Sequence, residues 1–292
     1  MKINQILRTF IGIFLAFTLY ACEDPIDINL DKGESQLAVD ALVLVNDGPA
    51  TIRLTKTTPY FENGGKAPGV SGAIVQLTSD KGTVYTFTEV EKTPGNYVSS
   101  DSIRGETGEV FNLSIKYNEQ TFFSTSRLVR GTPIDTLYQE ERAAEFGNEA
   151  GKYLYFQATD PVGPNDFCWM RYSLNGQNDL RYNRLRAAFP VDAAFNPGAA
   201  DGLEFIYPIR NSINGPKGYL IGDTLAVELL SIDAEQWRFL KEMDIQLNNT
   251  GLFASPIANV RGNIFNTDKN SKTKAVGCFG MARISRAGVR IK

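Results

Sequence analysis

The chain has 292 residues, 42% of them hydrophobic, with 30 Lys and Arg against 33 Asp and Glu, a formal net charge of −3, and no histidine. That charge gives no field to draw nucleic acid or anionic lipid, and the missing imidazole excludes Ser-His-Asp triads, Cys-His pairs and histidine-ligated zinc. Carboxylates, lysines and tyrosines remain as possible catalytic groups, while no phosphate-binding loop, metal-ligand spacing or cofactor motif is present.

The chain opens with Lys2 and Arg8, then runs apolar over residues 10–21, FIGIFLAFTLYA. A helix needs about 20 apolar residues to span a bilayer; this shorter run fits the apolar core of a secretory signal peptide over residues 1–21. Leu19-Tyr20-Ala21-Cys22 resembles a bacterial lipobox, although Tyr20 is bulkier than the residue usual there. The resemblance implies cleavage before Cys22 and a diacylglycerol on its sulfur. Each acyl methylene buried in a membrane then adds about 0.8 kcal/mol to anchoring. Glu23 and Asp24 resemble the surface-export signal of Bacteroidetes lipoproteins, and they also suit a solvated tether over residues 22–35.

Residues 37–45, LAVDALVLV, read as a strand, and Asn46-Asp47-Gly48-Pro49 as a turn. In ATIRLTKT, Ile52 and Leu54 fall on one face and polar residues on the other. AIVQLTS and TVYTFTEV flank the turn Asp80-Lys81-Gly82 and predict a hairpin. YVSS and the stretch GEVFNLSIKYNEQTFFSTSRLV add further strands. Short strands with turns at close intervals predict a β-sandwich over residues 36–131. The sequence VSGAIVQLTSDKG…PGNYVSS…GEVFNLSIKYNEQTF resembles the immunoglobulin-like module related to carboxypeptidase regulatory domains. That likeness implies a scaffold or binding unit without chemistry of its own.

Residues 132–292 predict a second β-rich domain. A polar stretch, GTPIDTLYQEERAAEFGNEAG, reads as a bridge into it. KYLYFQATD and FCWMRYSL read as strands on either side of residues 160–166; the second puts Phe167, Trp169 and Arg171 on one side and Cys168, Met170 and Tyr172 on the other. Residues 175–222 are irregular and rich in Asn, Gly, Pro and Ala. DTLAVELLSI reads as a strand. DAEQWRFLKEMDIQLN predicts the one amphipathic helix, capped by Asp233 with Gln236 three residues on, and with Trp237, Leu240, Met243 or Asp244, and Leu247 at the spacing of a buried face. VRGNIFNTD and AVGCFGMARISRAGVRI close the chain as strands.

The tail LLSIDAEQWRFLKEM…LFASPIANVRGNIFN…AVGCFGMARIS, preceded by the lipobox, DINL and DPVGPNDF, resembles a Bacteroidetes lipoprotein family known as domain of unknown function 4249. Cys278 stands where the family pattern suggests an aromatic residue. The resemblance implies an outer-membrane lipoprotein, facing the cell surface or the periplasm, and often encoded near TonB-dependent receptors. It carries no catalytic residue onto this chain.

Several residues are candidates for function. Arg181, Tyr182, Arg184 and Arg186 suit a grip on an acidic or aromatic ligand or partner through bidentate pairing or stacking; they equally suit a solvated hairpin. Ser102, Thr136 and Thr224 each sit in an Asp-(Ser/Thr)-aliphatic triplet, which matches the O-glycosylation pattern of Bacteroidetes. Asp160, Asn165 and Asp166 are oxygen ligands that calcium would accept, although the loop is shorter than an EF-hand and reads foremost as a polar turn; no metal is assigned. Cys168 and Cys278 fit an exported disulfide or, in strand-like runs, buried free thiols. The leading expectation is a binding or accessory lipoprotein, not an enzyme, working without a cofactor beside a TonB-dependent transporter in nutrient capture. A surface hydrolase using carboxylates, or a structural envelope lipoprotein, are the alternatives.

Overall fold

Alternation in β1 (Leu37–Leu44) sets the first layer of the protein. Leu37, Val39, Ala41 and Val43 are buried, and the residues between them are half-buried. This period of two is what a pleated strand imposes, but here the second face is covered as well, and that cover becomes the site described below. The computed structural model describes residues 34–59, 67–145, 147–176, 188–249 and 259–292. The chain divides into two units, Met1–Glu34 and Ser35–Lys292; the second carries the fold.

After β1 come β2 (Pro49–Lys56), β3 (Ile74–Ser79), β4 (Val84–Glu89), β5 (Asn96–Ser102), β6 (Val110–Tyr117) and β7 (Gln120–Arg127). Then follow β8 (Ile134–Arg142), β9 (Gly151–Ala158), β10 (Phe167–Leu174), a short helix α1 (Tyr207–Arg210), β11 (Thr224–Ile232), the main helix α2 (Ala234–Leu247), β12 (Phe265–Asn266) and β13 (Ala275–Arg290). The protein is mainly β, as the sequence predicts. Among the described residues, eleven strands form one curled sheet in the order β10-β11-β13-β1-β2-β5-β4-β3-β6-β7-β12, and β8 and β9 form a separate pair.

The 16-residue β13 explains how the two halves join. Its first half, residues 275–282, pairs in parallel with β1, and its second half, residues 283–290, pairs antiparallel with β11. One strand therefore serves two lobes. The first lobe packs Val39, Ile52, Leu77, Phe111 and Phe122 with Ile264, Phe279 and Met281 from the far end of the chain. The second packs Leu154, Phe156, Met170, Val227 and Leu229 with Phe205, Ile209 and Ile213. Gly277 makes the parallel pairing possible: its φ is +107°, and a Cβ there would lie 1.9 Å from the carbonyl oxygen of Val39. The sheet also curls back on itself, since the Met281 N–H donates to Ser126 Oγ at 2.9 Å and the Asn263 amide bonds both backbone groups of Phe279.

Three expectations change. The polar stretch read as a bridge contains β8, which pairs along β9; its exposed, charged sequence lacks the apolar alternation that betrays a half-buried strand. The region after residue 175, read only as irregular, is over its described part a wall of the second core, with Ala188, Ala193, Phe205, Ile209 and Ile213 buried in it and α1 within it. The strand expected in VRGNIFNTD shrinks to Phe265–Asn266. The boundary expected after residue 131 falls between β7 and β8, and β13 crosses it.

Candidate functional site

Helix α2 begins where the sequence places it. The Gln236 N–H donates to Asp233 Oδ1 at 2.8 Å, giving one half of a capping box. The other half does not form. The Gln236 side chain instead lies flat on β13, where a Cβ on Gly280 would come within 2.1 Å of its amide carbon. Asp233 also accepts from Ser126 Oγ, so the helix start is tied to β7 and, through Ser126, to Met281. Burial pushes the Asp233 carboxyl up despite these donors.

The seat of the helix follows from alternation in β13. Phe279 and Met281 point into the first core, while Cys278, Gly280 and Ala282 form a low face on the other side. The large side chains of α2 settle on that face. Trp237 and Leu240 pack with Trp169, Leu230, Ile232, Leu42 and Leu44 in a third apolar cluster. Trp237 meets Phe167 with ring centroids 5.4 Å apart, and Trp169 stacks on Phe189 at 6.5 Å. Leu247, expected on the buried face, is 46% exposed, so the helix lifts from the sheet toward its C-terminal end.

A cleft of about 350 Å³ lies between α2 and the outer faces of β1, β2 and β13. Its walls are Ala38, Leu42, Trp169, Phe239, Leu240, Met243 and Cys278, with Asp40, Arg53 and Gln236 adding polarity. Behind the wall, Nε1 of Trp169 and Oε1 of Gln236 are buried without a hydrogen-bond partner among the described residues and do not face the cleft. One is a donor and the other an acceptor. Buried groups of this kind carry a desolvation penalty of about 1–3 kcal/mol. The cleft thus combines apolar walls with a few polar groups, the usual make-up of a small-molecule site, and its volume lies at the lower end of the range of roughly 300–1,000 Å³ for such sites. Cys278 lines it as a small residue; the aromatic ring expected there would fill part of the space. Burial pushes its thiol up, so it stays neutral and is a poor nucleophile.

A second cleft, about 480 Å³, lies beside the crossing of β13 and is lined by Asp47, Thr132, Ser231, Arg283 and Arg286. Its charges are engaged internally. Arg171, Glu228 and Arg286 occupy matched positions on β10, β11 and β13. Glu228 accepts from Arg171 Nε and from Arg286 Nε, each at 2.7 Å, and Arg286 reaches on to Asp47 Oδ2 at 2.7 Å. The Arg171 guanidinium also sits 5.0 Å from the Trp169 ring centroid, which couples this ladder to the first cleft.

Residues 160–166 form the turn expected between β9 and β10. The Arg130 guanidinium pins it, donating from Nε to Asp166 Oδ1 at 2.7 Å, from Nη1 to the Val162 carbonyl at 2.7 Å and from Nη2 to the Pro161 carbonyl at 3.0 Å. Asp160 and Asp166 are joined there by Asp192, which no motif in the sequence singles out. Asn165, the third ligand considered from the sequence, takes the left-handed backbone at φ 75°. The three carboxylates line neither cleft, and neither cleft brings two carboxylates together to work as an acid–base pair.

The other candidates divide. Cys22, Arg181, Tyr182, Arg184 and Arg186 lie outside the described residues. Thr136 is exposed on β8, Thr224 is exposed as the first residue of β11, and Ser102 is half-buried at the end of β5. Cys168 and Cys278 are both free and buried; Cys168 faces Thr132 Oγ1 at 3.8 Å, and burial pushes its thiol up to about 12. The sequence did carry a signal for the helix seat, the alternation of small and large residues in GCFGMA, but its meaning depends on knowing that α2 lies above it.

The family described as domain of unknown function (DUF4249) matches residues 23–287. No curated protein matches the chain.

Proposed function

We propose, from the premise that this chain belongs to the DUF4249 family, that it is a lipid-anchored binding or accessory protein of the outer membrane and no enzyme. In this reading it works beside a TonB-dependent transporter in nutrient capture and takes its ligand in the cleft beneath α2. The observation that carries the proposal is an apolar cleft, walled by Ala38, Leu42, Phe239, Leu240, Met243 and Cys278, with Asp40 and Arg53 among its lining. A small organic ligand with an apolar body and a polar group within reach of Asp40 or Arg53 would suit it. The hydrolase alternative loses ground because the carboxylates that cluster are buried away from both clefts. Anchoring through Cys22 would confine the protein to a membrane surface, where a neighbouring receptor is met at high effective concentration and modest affinity suffices.

The experiment is co-purification from native membranes, comparing wild type with Cys278→Phe and Met243→Glu. Phe fills the cleft and Glu places a charge in it; Met243 is half-buried, so the second variant keeps the fold if the first does not. The expected result is a TonB-dependent receptor retained by all three folded proteins and a small molecule retained by wild type alone. Recovery of no receptor with wild type, or of the same small molecule with both variants, contradicts the reading.

A further inference from the structure

Carboxylate oxygens from Asp160, Asp166 and Asp192 all lie within 4.8 Å of one another. Two oxygens that each bind one calcium ion at 2.3–2.6 Å are at most about 5 Å apart, so this spacing is that of a shared coordination sphere. The residues are only 2%, 8% and 0% exposed, and buried carboxylates are costly unless something neutralises them.

The protein neutralises them unequally. Asp166 is held by the Arg130 guanidinium on both oxygens. Asp192 accepts the N–H of Asp166 on Oδ1 and the N–H of Gly198 on Oδ2, each at 2.7 Å. Asp160 receives one long bond, from the Gly202 N–H to Oδ2 at 3.2 Å, and its Oδ1 is buried without a partner. Asp201 stands close enough to add its own charge while capping the Gly163 N–H at 2.7 Å. Four carboxylates therefore gather around a single guanidinium. The buried, unpartnered oxygen of Asp160 marks where a further positive charge belongs.

We propose that Asp160, Asp166 and Asp192 bind a hard divalent cation, calcium, with Oδ1 of Asp160 as the ligand atom that the protein leaves unmatched. The donors are all oxygen, which selects against soft metals. Magnesium keeps several waters and demands near-octahedral geometry at shorter distances, which a pocket this buried does not offer. The cation would lock residues 160–166 to residues 192–202, two loops already joined by the Asp192 N–H to the Asp166 carbonyl. Phe167, which follows directly, bridges to Val191, so the cation braces the start of β10 and the wall that carries Phe189 against Trp169. The site stands independently of the cleft and its ligand.

The test strips the full mature chain with a chelator at about pH 7.5, then titrates calcium chloride while following heat release and the thermal midpoint. Magnesium chloride serves as a parallel arm. The expected result is one calcium per chain and a midpoint raised by several degrees in millimolar calcium, as binding to the folded state alone requires. Asp160→Asn and Asp192→Asn are expected to weaken binding at least tenfold and to lose the shift. Should chelation unfold the wild type, Asp160→Asn is expected to stay folded in chelator, because it removes the unmatched charge. A wild type that shows no calcium-dependent heat or shift overturns the site. So does an Asp160→Asn protein that shifts as wild type does or unfolds in chelator as wild type does, and a larger shift with magnesium overturns the choice of calcium.

Discussion

The two lobes are built from similar strands yet differ in how completely they satisfy themselves. In the first, buried faces alternate cleanly and buried polar side chains find partners: Ser99 bonds the Ala50 N–H, and Tyr97 bonds the Val70 carbonyl. Ser124 is the exception there. In the second lobe and at the junction, Asp160, Trp169, Gln236 and Trp237 each keep a buried polar atom without a partner among the described residues. Buried unmatched groups are rare in native proteins because they destabilise the fold, so their gathering in one region marks where the molecule departs from pure packing. Four of these unmatched atoms lie in the second lobe and at its junction with the first, where the proposed cation site and the proposed cleft are also found.

The strongest way to break this comparison is to separate the lobes. Gly277→Val places a side chain against the Val39 carbonyl and forces a β-branched residue into a positive φ. Loss of more than about 4 kcal/mol of stability is expected, measured by denaturant unfolding, because both lobes depend on β13. A variant that unfolds within about 1 kcal/mol of wild type would mean that β13 is no shared strut.

A smaller effect sharpens the contrast at the acidic cluster. Burial, reinforced by Asp166, Asp192 and Asp201, pushes Asp160 up to about 6, above an unfolded value of about 3.9. Between those values the folded chain holds a proton that the unfolded chain has lost. The contribution of this one group to stability in calcium-free buffer therefore falls as pH rises from about 4 to about 6 and stays lower above that. Asn at this position escapes the penalty. Raising a carboxyl's pKa by one costs the folded state about 1.4 kcal/mol once the group is ionised. Asp160→Asn should therefore be more stable than wild type at neutral pH by up to about 3 kcal/mol, with the advantage fading toward about pH 4. Thermal unfolding across this range checks it, and a variant less stable than wild type at neutral pH would refute it.

The smallest expected effect lies at the helix seat. Gly280→Ala pushes a methyl group into the Gln236 amide and should cost about 1–3 kcal/mol. Adding Gln236→Ala should recover most of that loss, since it removes the group displaced. A double-mutant cycle measures the coupling; independent, additive losses would show that the contact does not seat α2.

The same contrast governs what the sequence discloses. In the first lobe, β1, the turn at residues 46–49 and the β3–β4 hairpin follow from apolar alternation and turn chemistry, because each side chain's environment is set by its neighbours two positions away. The Asp233 cap and the start of α2 are legible for the same local reason. β8 is not, because its partner β9 supplies the burial that its own polar residues do not advertise. The acidic cluster is half legible: Asp160 and Asp166 share one loop, but Asp192 arrives from another, and no spacing in the chain connects them. Gly280 and Cys278 stand out as small residues in a strand, yet only the helix above them gives that smallness a purpose.

The central claim is that the cleft beneath α2 holds a ligand in the working protein. Native mass spectrometry of the intact mature chain, taken gently from its own envelope, tests it most directly. The account predicts a wild-type population carrying one small molecule, released on mild activation, and Met243→Glu and Cys278→Phe proteins that are folded and carry none. Wild-type protein found only at its own mass with nothing bound, or variants carrying the same molecule at the same occupancy, would contradict it.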